Sequence, residues 1–226
     1  YLISLPEMSF TDALFETASG FSTTGSSVIV NPSELPKAII FWRSITQWVG
    51  GMGIIILTIS VMPLLGSGGL NLAKAESPGP NPDRLTPLFK DTAVILWGVY
   101  LVFTLAQTLL LFFSGLDMFS ALNHSFTTLS TGGFSTFDTS VSSFSNSTKL
   151  ILCLFMFIAG TSFTLHYKSR RNLKEYLYSS EFKFFTFIVF FAASIFYIFL
   201  NTSGKDSITS IIESLFTSLA IITTTG

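Results

Sequence analysis

The chain has 226 residues, 49% hydrophobic and only 11% charged, with a formal net charge of −1 and a mean hydropathy of +0.61. Ordinary soluble domains carry about a quarter of their residues as charges, so this balance excludes a water-soluble globule and points to a membrane protein. A single cysteine, Cys153, and two distant histidines, His124 and His166, give neither an internal disulfide nor a metal cluster by spacing.

In chain order, residues 6–21 make an apolar pattern too short to cross a hydrocarbon core of about 30 Å, which takes about 20 helical residues. A half-helix is expected there, with Ser9 as N-cap and Asp12 as the acid of its first turn. A polar segment, Ser22 to Ser27, follows it. Pro36 to Leu65 is long enough to span with some tilt and carries Arg43, Gln47 and Gly50-Gly-Met-Gly53. Residues 66–89, rich in proline and charge, read as a loop. A span from Lys90 to Phe113, a short pattern from Leu116 to Leu129 and a Ser/Thr-rich loop come next. The chain closes with a span from Lys149 to Tyr167, the basic Lys168-Ser-Arg-Arg171, a span from Lys183 to Leu200 and a third short helix, Ser207 to Ile222. The expected fold is an all-α membrane protein of repeated span, re-entrant half-helix, span units around a central pore. Its units are 1–65, 90–168 and 183–226, joined by cytoplasmic loops at 66–89 and 169–182. The chain begins without methionine and ends on glycine, and is expected to be a piece of a longer protein.

Each short helix ends in a hydroxyl-rich Thr-Gly: Leu14 to Gly25, Ala121 to Gly132 and Leu215 to Gly226 align as three copies of one unit. The loops around residues 66–90 and 168–183 hold Lys74, Arg84, Lys90, Lys168, Arg170, Arg171, Lys174 and Lys183, against Lys37, Lys149 and Lys205 on the other side. Positive charge concentrates in the cytoplasm, so the three Thr-Gly segments face outward, beside Glu7, Glu34, Asp117, Asp138 and Asp206. Such an acidic mouth concentrates cations.

Non-helical backbone at membrane depth survives only where protein buries it or where it lines a watery path. A permeating cation exchanges water for oxygens, and carbonyls supply these without a trapping charge. Glycine reaches φ > 0 freely, and the hydroxyls before it add further oxygens. For one copy a simpler account is a glycine stop at a helix end. Three copies after three short helices on one side favour the ion path.

Four stretches carry a resemblance: Phe21-Ser-Thr-Thr-Gly-Ser-Ser-Val28, Trp42-Arg-Ser-Ile-Thr-Gln-Trp-Val-Gly-Gly-Met-Gly-Ile54, Asn123-His-Ser-Phe-Thr-Thr-Leu-Ser-Thr-Gly-Gly-Phe-Ser135 and Thr223-Thr-Thr-Gly226. Through them the chain resembles the Trk/Ktr/HKT superfamily of potassium uptake proteins, on its TrkH branch. The resemblance implies four re-entrant loops forming one selectivity filter, of which this chain matches the first to the third. It puts Gly25, Gly132 and Gly226 on the filter glycines, with Thr24, Thr131 and Thr225 before them and Thr23, Ser130, Gly133 and Thr224 alongside. Related sodium transporters of plants carry serine at the first glycine, so Gly25 implies potassium. Also implied are a bacterial inner-membrane location, a homodimer with one pore per subunit, and a cytosolic nucleotide-binding regulatory subunit of the TrkA/KtrA kind. K+ is the cargo; no cofactor and no nucleic acid are expected, and membrane lipid surrounds the chain.

Arg43 lies about 10 Å into its helix at 1.5 Å per residue. An ionisable residue there pairs with Glu16 or Asp12 and supports the first loop, or else snorkels to the interface. Gly50, Gly51 and Gly53 fit close helix packing better than a hinge. His124, aligned with Thr17, suggests a polar contact behind the loop; His166 reads as a helix-end residue, and Cys153 as lipid-facing or core packing. No enzyme constellation is found. The alternative function is an ion-coupled secondary transporter of monovalent cations, a symporter for Na+, or for K+ with H+ or Na+. Broken helices also build such sites, though often from inverted repeats.

Overall fold

The structure, a computed structural model, describes residues 1, 5, 8–61, 89–170, 172–202 and 206–226. The expected loop at 66–89 lies, except for residue 89, outside the described residues, as do Arg171 and Lys205. All regular structure among the described residues is helical. The order is α1 (Phe10–Phe21), a 3₁₀ turn (Pro32–Glu34), α2 (Lys37–Val61), α3 (Phe89–Phe113), α4 (Met118–Leu129), α5 (Asn146–Ala159), α6 (Phe163–Ser169), α7 (Lys174–Tyr178), α8 (Ser180–Thr202) and α9 (Ser207–Ile222).

Side-chain caps start several of these helices. Ser9 Oγ accepts the Asp12 N–H at 3.1 Å, Asp117 accepts the Ser120 N–H at 3.0 Å, and Ser145 Oγ accepts the Thr148 N–H at 3.3 Å. The helices α1, α4 and α9 have 12, 12 and 16 residues, about 18–24 Å at 1.5 Å per residue. They stop short of a bilayer's width. Two described segments, Ala93–Phe113 and Ser180–Thr202, are long and apolar enough to cross, each with a mean hydropathy of 2.1.

The span expected from Lys149 to Tyr167 is not continuous. It breaks after Ala159, and α6 leaves α5 at 95°. At the break Thr161 Oγ donates to the Phe157 carbonyl at 2.9 Å, and the Ile158 carbonyl, which accepts the Thr161 N–H at 3.0 Å, accepts His166 Nε2–H as well at 2.9 Å. Because that carbonyl can only accept, Nδ1 of His166 accepts from the Tyr176 hydroxyl at 2.7 Å. His166 is a helix-end residue, in the last turn of α6, and a buried brace across the break.

Of the half-helices α4 is largely buried, whereas α1 and α9 keep exposed apolar side chains such as Phe10, Leu14, Ile208 and Ile211. α2 packs on α1 and α4; α4 also meets α3 and α5, and α9 lies between α5 and α8. One core joins α3, α4, α5, α8 and α9 through Leu111, Ala121, Leu152, Met156, Val189 and Leu219. Cys153 belongs to it, 2% exposed, which selects core packing over a lipid-facing position. A second core gathers Met52, Tyr100, Leu129 and Phe155 with Trp48 and Trp97. In contrast, α8 is mostly uncovered, and Phe184, Phe187, Phe190, Phe191 and Phe199 lie exposed, a surface suited to hydrocarbon.

Gly50 and Gly51 let α2 touch the ends of two half-helices. A Cβ on Gly50 would stand 2.1 Å from the Phe21 carbonyl oxygen, and one on Gly51 2.8 Å from Ser130 Cβ. Close packing is their role; at Gly53 a Cβ would meet nothing within 4 Å.

Candidate functional site

The three Thr-Gly segments share one backbone conformation. α1, α4 and α9 end in the C-caps Ser22, Ser130 and Thr223, with φ of −80°, −81° and −84°. The next residues, Thr23, Thr131 and Thr224, are left-handed at 58°, 55° and 61°. One residue later φ is again negative, and then Gly25, Gly133 and Gly226 take 78°, 77° and 76°. Thus Gly133, and not Gly132, stands in register with Gly25 and Gly226, and the second copy of the unit starts at Leu122.

The alternation has a physical cost. A β-branched residue in the left-handed region is an outlier, at about 1–3 kcal/mol, and three threonines occupy it at one repeat position. Helix-end bonds hold them there: Thr23 N–H to the Gly20 carbonyl and Thr24 N–H to that of Ser19, then Thr131 to Thr128 and Gly132 to Thr127. This is the paired bonding of a Schellman ending, with threonine where glycine usually stands. The glycines come two residues later, so the simple account of a glycine stop does not describe these loops.

The loops meet edge to edge in one sense. A Cβ on Gly25 would lie 1.8 Å from the Gly132 carbonyl oxygen, and one on Gly133 would lie 1.6 Å from the Thr225 carbonyl oxygen. Each glycine therefore rests on the carbonyl just before the glycine of the next loop. No side chain fits at either junction.

Behind the loops, anchors recur in the corrected register. Glu16, fully buried, accepts from Ser27 Oγ at 3.0 Å and from the Val28 N–H at 3.1 Å. Arg43 Nε donates to Glu16 at 2.8 Å and Nη2 to Ser27 Oγ at 3.0 Å, forming an ion pair with both side chains buried. The guanidinium also lies 4.2 Å over the ring of Phe134, beside Gly133. In the second loop His124 takes the place of Glu16, correcting its alignment with Thr17. Nδ1–H donates to the Ser120 carbonyl at 2.8 Å, which leaves Nε2 to accept from Ser135 Oγ at 3.3 Å. Ser27 and Ser135 are each two residues beyond their loop's glycine.

Beyond the two loops the site is tied by Asp138, whose carboxylate accepts the Ser33 hydroxyl at 2.5 Å and the Ser33 N–H at 2.9 Å. These two bonds hold the Asp138 carboxyl below the usual aspartate range.

Three copies of a strained loop in one register, packed as neighbours in a helical membrane protein, match known proteins. Residues 2–183 match the TrkH family, described as a cation transport protein. The chain belongs to the TrkH family. It is 39% identical over 227 residues to the Trk system potassium uptake protein TrkH of Escherichia coli (strain K12), covering 98% of this chain and 47% of that protein. It is 33% identical over 225 residues to an uncharacterized cation transporter of Methanocaldococcus jannaschii, covering 99% and 45%. The crystal structure of the potassium transporter TrkH from Vibrio parahaemolyticus superposes with a TM-score of 0.83 at 37% identity, over 97% of this chain and 45% of that one. The chain spans about half the length of these relatives. The family is one of transport proteins and not of enzymes.

Within this TrkH-family chain the residues named from sequence divide. Thr23, Thr24, Gly25, Ser130, Thr131, Gly132, Gly133, Thr224, Thr225 and Gly226 come together in the loops. Arg43 meets Glu16; Asp12 instead bonds Ser9 at the start of α1, through Ser9 Oγ at 2.7 Å. Sequence reasoning gave no role to Ser27, Ser135 or Gln47. The serines carry a signal, recurring two residues after a glycine, but only the corrected register exposes it. Gln47 follows Arg43 by one helical turn and so shares its face.

Proposed function

We propose that the chain supplies ion-conducting walls of a potassium uptake system in the bacterial inner membrane, with its Thr-Gly loops toward the outside. K+ would pass along carbonyl and hydroxyl oxygens of residues 23–25, 130–133 and 224–226, with no bound cofactor. One observation carries this reading: three loops of equal backbone conformation abut in the same sense, as segments around one axis must. Alternating signs of φ turn successive carbonyls to one side of a loop, where they can replace an ion's water. The C-terminal ends of α1, α4 and α9, partially negative, adjoin the same loops and favour a cation.

Potassium as the cargo is supported by Gly25 and by relatives named as potassium uptake proteins. A homodimer and a cytosolic nucleotide-binding regulatory subunit are proposed on family resemblance, since relatives are named as parts of a Trk system. Arg43, through Glu16 and Ser27, supports the first loop; Asp12 is withdrawn from that role.

The test is flux into liposomes of the protein carrying this sequence. Rb+ uptake should exceed Na+ uptake, and Gly133→Ser should lower that ratio. An unchanged ratio in that variant overturns the assignment of the loops. Uptake that follows an imposed proton or sodium gradient would favour the ion-coupled transporter instead, against which the common direction of the three loops speaks.

A further inference from the structure

Apart from the C-cap, serine in the first two and threonine in the third, the three loops differ at one position. Between the left-handed threonine and the glycine stand Thr24 in the first, Thr225 in the third, and Gly132 in the second. In the first loop Thr24 Oγ1 pairs with the hydroxyl of the C-cap Ser22 at 2.7 Å, and in the third Thr225 Oγ1 pairs with that of Thr223 at 2.8 Å. The second loop has no side chain with which to make this bond. Its place is filled from α2: a Cβ on Gly132 would lie 2.4 Å from Gln47 Cδ, 2.5 Å from Oε1 and 2.7 Å from Nε2.

Gln47 is completely buried, and its amide is used at both ends. Nε2 donates to the Gly132 carbonyl at 2.9 Å, and Oε1 accepts the Phe134 N–H at 3.2 Å. A carbonyl can only accept and an N–H can only donate, so these partners fix the amide's orientation. The two bonds straddle Gly133. The Gly132 carbonyl is also the one on which Gly25 rests, so a single side chain holds the second loop and its junction with the first. Neither an all-acceptor nor an all-donor side chain of that length can do both.

We propose that Gln47 is a positioning residue for ion selection, and that Gly132 is glycine because Gln47 occupies the space of the missing threonine. This rests on the pore reading above. Gln47 sets the orientation of the peptides on either side of Gly133, and thereby the spacing of oxygens across the junction with the first loop.

The experiment compares Rb+ and Na+ flux in liposomes for wild type, Gln47→Met, Gln47→Ala, Gly132→Ala and the double variant Gln47→Ala/Gly132→Ala, with size-exclusion chromatography reporting folded protein. Each single variant should lower the Rb+/Na+ ratio about tenfold, the size of one lost buried hydrogen bond. The double variant should lose no more than Gln47→Ala alone, because the added methyl then enters vacated space. Gln47→Met and Gln47→Ala carry the same expectation, so misfolding of one leaves the other to decide. Folded Gln47 variants that keep the wild-type ratio, or losses that multiply in the double variant, overturn the proposal. A wild type that does not favour Rb+ overturns the pore reading first; a selective wild type with unaltered Gln47 variants overturns this inference alone.

Discussion

The first and second Thr-Gly loops have the same backbone angles and the same serine two residues beyond the glycine, yet opposite chemistry holds them. Ser27 is fixed by a buried ion pair, Glu16 with Arg43, whereas Ser135 is fixed by a neutral imidazole, His124, and the loop beside it by a neutral amide, Gln47. The loop conformation is thus the requirement, and the anchor is whatever the neighbouring helix can complement. Arg43 and Gln47 sit one turn apart on α2, so one helix face serves both loops. The charge goes to the first loop because Arg43 reaches Glu16 there, and the next turn presents an amide to the buried Gly132 carbonyl and Phe134 N–H.

Breaking the charged anchor should have the largest effect. Arg43→Met leaves the Glu16 carboxylate buried without a counter-charge, and such single removals cost about 3–5 kcal/mol. A thermal midpoint in detergent should fall accordingly, and adding Glu16→Gln should recover part of the loss. Equal midpoints for the single and double variants would deny the coupling. Next come the junction glycines, where left-handed backbone adds about 1–3 kcal/mol of strain to direct contact with a neighbouring carbonyl. Gly25→Ala and Gly133→Ala should both reduce Rb+/Na+ flux ratios, and should do so alike if the loops are equivalent; a loss confined to one would show that they are not.

The neutral anchor should matter less than the charged one. His124→Phe retains the ring's bulk and removes two hydrogen bonds, to the Ser120 carbonyl and the half-buried Ser135 hydroxyl, at about 1–3 kcal/mol together. Its midpoint should drop by less than that of Arg43→Met, and the reverse order would refute the distinction between the anchors. The smallest effect is expected at the exposed tie between Ser33 and Asp138. Since the folded Asp138 carboxyl titrates below its usual range, its contribution is present above about pH 4 and fades as pH falls through the depressed value. A stability difference between wild type and Ser33→Ala, followed by thermal midpoint, should therefore exist at neutral pH and shrink in strong acid. A difference that grows on acidification would contradict this sign.

Much of the architecture was legible from residue order. Helices of 12, 12 and 16 residues too short to span, each ending in hydroxyls and glycine, follow from apolar run length and turn chemistry, and Ser9 announced its own cap. The pairing of Arg43 with Glu16 was one of two choices open to a cation at that depth. The bent span was not legible, because Leu150 to Tyr167 is apolar enough to continue and the bend is braced by a contact across it, from Tyr176 through His166 to the Ile158 carbonyl.

By itself the sequence determined membrane class and three short helices that each end in hydroxyls and glycine, consequences of composition and local backbone preference. The tertiary structure alone decided which of two adjacent glycines, Gly132 or Gly133, is the counterpart of Gly25. Local propensity cannot separate them, since both can adopt positive φ. The choice is made by contacts from other helices: Gln47 occupies the space at Gly132, and the Thr225 carbonyl closes on Gly133.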